Sequence, residues 1–404
     1  MKNKLIYKIV LIIVLFFTIN YFSNDFTLHD IEKTAIVVAL GIDYNQGEYD
    51  VTAQIAIPQA STSTSENIDS VISAKGKTIA KAISEIGART GWYPKLSFCN
   101  IVVIGSKTAE NGVKDIIDYT MRSTKLLDSA IMVVSENTAK QLLTSKTPLD
   151  SVTSFALLKI LVKNTEKTDV ILTNDIKDFA KETSSFSQVS VLPIVKEMQS
   201  REDDSKSNSS SSSNGSSGGE NDEQGESSGE EKSGNGNVIY DATNSAVFLD
   251  GKVVSVLTNT ESLVLQLCRD DTDLAFLEKE FKDEIYLFRA KSDSIKKGLK
   301  YNNGKFTFTL GATVKLKIVD VTGNKHPDTS KDTDTASDAL LLSVKTYLEQ
   351  ETAKLVEKTI SENIDLFGLK NELYQRYPHL YQKYKDEVLS SALYKINFKV
   401  KKVI

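Results

Sequence analysis

Residues Leu5 to Phe22 form an apolar run of 18 positions in which Lys8 is the one charge, and from Ile9 onward IVLIIVLFFTINYF carries none. At 1.5 Å per residue a helix of that length covers about 27 Å, close to the roughly 30 Å hydrocarbon core of a bilayer, with Lys8 snorkelling to the surface. Lys2, Lys4 and Lys8 lie at its N-terminal end only, so the positive-inside rule keeps the N-terminus cytoplasmic and sends the rest of the chain outward. The expectation is an N-terminal transmembrane helix acting as an uncleaved signal anchor. A cleaved signal peptide is the alternative, but the closing stretch NYFSNDFTLHD holds no small-x-small cleavage site. A buried core helix is the bland reading of the same run.

Composition bounds the remainder. With 404 residues, 40% of them hydrophobic and 25% charged, the chain is long enough for roughly two or three cored domains. Collagen-like, wholly disordered and multi-span membrane classes are thereby excluded. Two cysteines, Cys99 and Cys268, rule out a disulfide scaffold, and the scattered His29, His326 and His379 argue against a His-rich metal cage. The formal net charge is -5, but nine acids and three bases fall between Ser200 and Asn237, leaving the rest near neutral. No basic stripe for nucleic acid remains.

From Lys33 the chain alternates strand and helix. Thr34–Ile42 is a continuous apolar run suited to a strand buried on both faces, and after a turn at Asp43–Gly47 the residues Tyr49, Val51, Ala53, Ile55 and Ile57 share one face. Past the polar loop Pro58–Ser65, helical spacing marks Lys77–Ile86. A strand at Phe98–Ile104, a helix at Val113–Met121, a strand at Ala130–Val134 and a helix at Thr138–Leu143 follow. Helical segments near Ser151–Val162 and Asp175–Ala180 precede a strand at Val189–Ile194. This alternation predicts a layered α/β domain.

Ser200–Asn237 holds thirteen serines and seven glycines with no aromatic or aliphatic side chain, which predicts a flexible acidic linker. Beyond it, Ser245–Leu257 reads as two strands joined by Asp250-Gly251, a dipeptide suited to a type I′ turn, and Glu261–Leu267 as a helix. The even-numbered residues Phe306 to Ile318 hold one apolar phase, giving one long strand or a strand bent near Gly311. A polar loop, Thr322–Ser337, leads to an amphipathic helix carrying Leu341, Val344, Leu348, Leu355, Val356 and Ile360. A shorter helix with Leu369 and Leu373 stops at Tyr377-Pro378, and Ile396, Phe398 and Val400 mark a final strand. These last hundred residues predict an antiparallel sheet with helices on one face. The expected organisation is a signal anchor over 1–27, an N-terminal α/β domain over 28–199, a disordered acidic Ser/Gly linker over 200–237, a middle α/β region over 238–300 and a C-terminal α+β domain over 301–404.

Several segments together resemble the Ger(x)C family, the C subunits of nutrient germinant receptors. They are AIVVALGIDYNQGEYDVTAQIAIP at Ala35–Pro58, AKGKTIAKAI at Ala74–Ile83, CNIVVIG at Cys99–Gly105, SAVFLDGKVV at Ser245–Val254 and IDLFGLKNELYQRYP at Ile364–Pro378. They fall in the family's order over most of the chain. The resemblance implies a spore-germination protein on the outer face of a spore-former's inner membrane. It would act with a large membrane subunit and a transporter-like subunit, with no catalytic, cofactor or metal residue to carry over. One departure stands out: family members usually carry a lipobox cysteine followed by Trp-Asp, whereas Ser23-Asn24-Asp25-Phe26 stands here and no cysteine precedes Cys99. Lipid attachment is thereby excluded and anchoring falls to the apolar helix. A solute-binding or cell-envelope structural protein is the alternative function.

Sharper readings compete with bland ones. Gly76-Lys77-Thr78 looks like the end of a phosphate-binding loop, but Val71 stands where that loop needs glycine, so a helix start is preferred. Cys99 in its apolar setting is expected to be an inert core thiol, and a Cys99–Cys268 bridge is not expected. Tyr374, Tyr377, Tyr381 and Tyr384 recur at three- and four-residue spacing, either as a face for a partner or membrane or, preferred, as tyrosines packing on the terminal sheet with hydroxyls in water. His379 is expected on the surface and His326 in a polar loop. Asp365 is expected to cap the helix after Gly368.

Overall fold

The structure is a computed structural model describing residues 2–23, 33–56, 70–148, 150, 152–162, 171–199, 238–269, 275–323 and 337–402. The expected linker 200–237, the loop Pro58–Ser65, most of the loop Thr322–Ser337, His29 and His326 lie outside the described residues. The chain opens with α1 (Lys2–Ser23), whose described side chains, Tyr7 to Thr18, are exposed. Among the described residues no helix is long and apolar enough to cross a membrane; the expected span Leu5–Phe22 extends past the described side chains at both ends.

A long sheet follows. Its strands are β1 (Thr34–Asn45), β2 (Glu48–Ala56), β3 (Ser70–Gly76), β4 (Tyr93–Lys95), β5 (Ile101–Gly105), β6 (Ile131–Ser135), β7 (Asn174–Asp175), β8 (Val189–Gln199), β9 (Val238–Asp241), β10 (Ser245–Leu249) and β11 (Lys252–Leu257). The order across the sheet is β11-β10-β8-β6-β5-β1-β2-β3, with β4 on β1, β7 on β6 and β9 on β8. The strands β1, β5, β6 and β8 are mutually parallel, while β2 and β3 fold back antiparallel.

Helices cover both faces, which is why the central strands read as unbroken apolar runs. Successive residues feed opposite cores: Leu40, Val102, Ile104, Met132 and Val134 pack with α2 (Ile79–Thr90), α4 (Lys114–Arg122) and α7 (Ile176–Thr183). Ala39, Ile101, Val103 and Val133 pack with α5 (Ala139–Thr144) and α6 (Thr153–Leu161). A short α3 (Ser106–Asn111) lies between β5 and α4. Side-chain caps fix three starts, Thr78 on α2, Thr138 on α5 and Asp175 on α7. The Gly76-Lys77-Thr78 stretch is thus a strand end and a helix cap.

The hairpin of β10 and β11 turns at Asp250 and Gly251, both at positive φ, and β10 pairs with β8, so the segment beyond residue 237 completes the first sheet. A reciprocal capping box then starts α8 (Asn259–Arg269): Glu261 accepts from the Thr258 N–H at 2.8 Å while Thr258 Oγ1 accepts from the Glu261 N–H.

The C-terminal half contains two smaller sheets. One is β12 (Ala275–Phe281), β13 (Glu284–Ile295), β16 (Ala312–Gly323) and β18 (Lys399–Lys402); the other is β14 (Gly298–Asn302), β15 (Lys305–Leu310) and β17 (Leu393–Ile396). Between β16 and β17 in sequence run α9 (Asp338–Ser361), α10 (Leu369–Arg376), α11 (Pro378–Tyr384) and α12 (Val388–Ser391). The apolar phase from Phe306 to Leu316 is buried throughout, but at Gly311 the chain leaves one sheet for the other. There φ is 150° and a Cβ would stand 2.0 Å from the Asn397 carbonyl oxygen, so glycine is required. The last strand changes sheet beside it, the Asn397 N–H donating to the Leu310 carbonyl at 2.9 Å.

One expectation is corrected here. The sheets are mixed, because β17 and β18 return after four helices and pair parallel to β15 and β16; a helical crossover is long enough to permit that direction. A single core spans this half and reaches Val189, Val191 and Val247 of the first sheet.

Candidate functional site

Among the described residues, two of the places that gather polar side chains from distant parts of the sequence bear on function. The first is a cleft of about 500 Å³ at the carboxyl ends of β1, β5 and β6, the end of a parallel sheet where open α/β folds form crevices. Asp43 at the end of β1 accepts hydrogen bonds from the Ala139 and Lys140 N–H groups at 3.0 and 3.1 Å, holding the start of α5. Burial raises its pKa above the ordinary 3.8, against the lowering by those two N–H groups. The carboxylate fits only because position 105 lacks a side chain: a Cβ on Gly105 would meet Asp43 Oδ1 at 1.9 Å.

Asp50 is the cross-strand partner of Asp43 and pairs in register with Lys75, so all three face the cleft. Among the described residues its buried Oδ1 has no hydrogen-bond partner. Lys107, Lys140, Glu48 and Glu136 complete a lining of both signs. Among the described residues no group of three or more His, Cys, Asp or Glu is placed to hold a metal ion. The cleft's Ser106 faces Glu110 at 3.5 Å, and among the described residues no histidine lines the cleft. The arrangement offers groups of both charge signs for recognition.

The second place joins the two halves of the chain. Asp365 is buried; it accepts from the Leu369 and Lys370 N–H groups at 2.7 Å each, which is the expected cap on α10. It also accepts from the Ser187 hydroxyl at 2.5 Å, a contact that sequence spacing could not reveal. Asn371 accepts from the Ser187 N–H at 3.0 Å. Gly368 sits between them in the left-handed region, at φ 69°, beside Lys297. Burial lowers the Lys297 pKa, with the neighbouring Glu372 and Asp365 opposing the shift.

The tyrosines divide around this joint. Tyr377 and Tyr384 pack on Tyr301 and Phe306 of the terminal sheet as expected, although the Tyr377 hydroxyl is not left to water but accepts from the Tyr301 N–H at 3.1 Å. Tyr374 and Tyr381 instead pack on Phe186 from the first half, Tyr374 stacked at 3.7 Å. Their partner lies nearly two hundred positions away and no local spacing signals it.

Cys99 and Cys268 are both buried and free, and burial pushes each thiol up to about 12. His379 is exposed on α11.

Residues 28–197 match the family described as spore germination protein N-terminal domain, and residues 243–402 match spore germination B3/GerAC-like, C-terminal. The chain is 23% identical over 393 residues to spore germination protein KC of Bacillus subtilis (strain 168), covering 94% of this chain and 90% of that protein. The crystal structure of the GerBC protein shares the fold, with a TM-score of 0.50 and 17% identity over 93% of this chain and all of that one. With the two matches in sequence order on either side of the Ser187–Asp365 joint, the chain belongs to the Ger(x)C family of spore germination proteins.

Proposed function

We propose that this protein is the C subunit of a nutrient germinant receptor, acting in spore germination by assembly and signal coupling and without catalysis. The tandem family matches over 28–197 and 243–402 carry the reading. In it α1 is the membrane anchor and the folded part lies on the outer face of the spore inner membrane, beside a large membrane subunit and a transporter-like subunit. Support for the anchor comes from α1 itself, whose side chains from Ile9 to Phe17 are each about half exposed or more; an apolar helix left in water calls for lipid. The proposed division is an anchor over 1–27, a first unit over 28–199, an acidic Ser/Gly linker over 200–237, a middle region over 238–300 whose β10–β11 hairpin joins the first sheet, and a C-terminal unit over 301–404.

The joint supports coupling. Ser187 and Phe186 of the first half are held by Asp365, Asn371, Tyr374 and Tyr381 of the second, so a displacement of one half is passed to the other through hydrogen bonds and stacked rings. Deleting the gene tests the reading. Sporulation should proceed, and germination in response to at least one nutrient should be lost; unchanged germination across nutrients defeats it.

A further inference from the structure

The amino ends of the parallel strands form an edge that the joint and the cleft do not use. Because β1, β5 and β6 run the same way, Lys33 before β1, Phe98 before β5 and Leu127 before β6 lie along it, and β4 pairs there with the first residues of β1. The helix α4 runs back between β5 and β6 and ends beside them at Met121 and Arg122. Four large apolar side chains stand in solvent on this edge: Trp92 is 50% exposed, Phe98 49%, Met121 49% and Leu127 42%. Lysines frame them. Lys95 lies 5.7 Å from the Phe98 ring centre, Lys125 lies 5.0 Å from that of Tyr93, and Lys33 is exposed at the entrance to β1. Asp128, Asp175 and Asp178 sit at the β6–β7 end of the edge.

We propose that Trp92, Phe98, Met121 and Leu127, with Lys33, Lys95 and Lys125 around them, seat the folded part of the protein on the headgroup layer of an anionic bilayer. The proposal rests on the reading of α1 as the anchor. Exposed aromatic rings interleaved with lysines match that layer: the rings occupy the boundary between water and hydrocarbon while the ammonium groups meet lipid phosphates. Chain length places the edge nearby. Ser23 ends α1 and Lys33 enters β1, so ten residue steps of at most about 3.6 Å hold this edge within about 36 Å of the helix end. No other part of the first sheet is tied so closely to α1.

Trp92 is the chain's single tryptophan, so its emission reports on this edge alone. The full chain is reconstituted into vesicles of phosphatidylcholine, with and without phosphatidylglycerol. Quenching is measured with acrylamide from the water and with lipids spin-labelled near the top of the acyl chain. In the anionic vesicles Trp92 emission should shift to the blue, be lost to the spin-labelled lipid and be protected from acrylamide. Lys95→Glu with Lys125→Glu should abolish the lipid quenching while the chain still floats with the vesicles.

Free access of acrylamide with no lipid quenching, in a chain that floats, overturns the proposal and leaves the anchor standing. Protection from both quenchers also overturns it, pointing to a protein contact. A chain that does not float removes the anchor reading and this proposal with it.

Discussion

The Ser187 hydroxyl donates to the Asp365 carboxylate at 2.5 Å across 178 positions of sequence, and the same carboxylate holds the first two N–H groups of α10. One side chain therefore starts a helix in the second half and fastens it to the first. Replacing Asp365 by Ala would leave two buried donors and one partly buried donor unpaired and should cost about 3 kcal/mol, whereas Ser187→Ala should cost about 1 kcal/mol. In a double-mutant cycle by denaturant unfolding, the pair should show about 1 kcal/mol of coupling. Simple additivity would mean that the contact contributes nothing.

Gly368 stands at φ 69° with its absent Cβ 3.3 Å from Lys297 Nζ. Alanine there should destabilise by about 1 kcal/mol through left-handed strain, and more if Lys297 cannot give way. Asparagine tolerates that backbone better, so Gly368→Asn should be milder than Gly368→Val. Melting temperatures of the three variants check this ranking, and equal losses would remove backbone strain as the reason for glycine.

The first sheet was largely legible because burial on both faces leaves an apolar run, as in Thr34–Ile42 and at Ile101–Ile104 within the expected strand Phe98–Ile104. The Asp250-Gly251 hairpin was legible for its turn chemistry, but its partner β8 lies across residues 200–237 and pairing at that distance has no local signature. Strands β12 and β13 escape the sequence reading for a physical reason. They are half wet, and they turn at Lys282 and Asp283, both at positive φ without a glycine to announce it. Asn303-Gly304, by contrast, is a readable hairpin signal between β14 and β15 that the long apolar phase beyond it masks. At the site the pattern repeats: the Asp365 cap follows from local spacing, while the Ser187 and Phe186 contacts arise only when the halves meet.

Cys99 lies at the entrance to β5 with its Sγ 3.3 Å from the Ile101 carbonyl, and burial holds its thiol up near 12. Cys268 is equally enclosed beside Thr352 and is also raised to about 12. Since the thiolate is the reacting form, neither should be modified by a maleimide at neutral pH in the native protein, and both should react on unfolding. Rapid native labelling of either residue would contradict its burial.

Asp43 gives the cleft a distinct dependence on pH. Burial raises its carboxyl pKa above 3.8 in the folded protein, so the native state binds this proton more readily than the unfolded chain does. Stability from this group is therefore greatest at low pH and is lost as pH rises through the raised value, opposite to a salt-bridged carboxylate. Asp43→Asn removes the titration; its single carbonyl oxygen can still accept from Ala139, while the Lys140 N–H loses its partner. Subtracting unfolding free energies of variant and wild type from about pH 4 to pH 7 cancels the other carboxylates. The wild type should lose stability relative to Asp43→Asn as pH rises just above the ordinary aspartate range, and then run parallel to it. A difference that stays constant from the lowest pH upward would show that the α5 N–H groups, and not burial, govern the charge on Asp43.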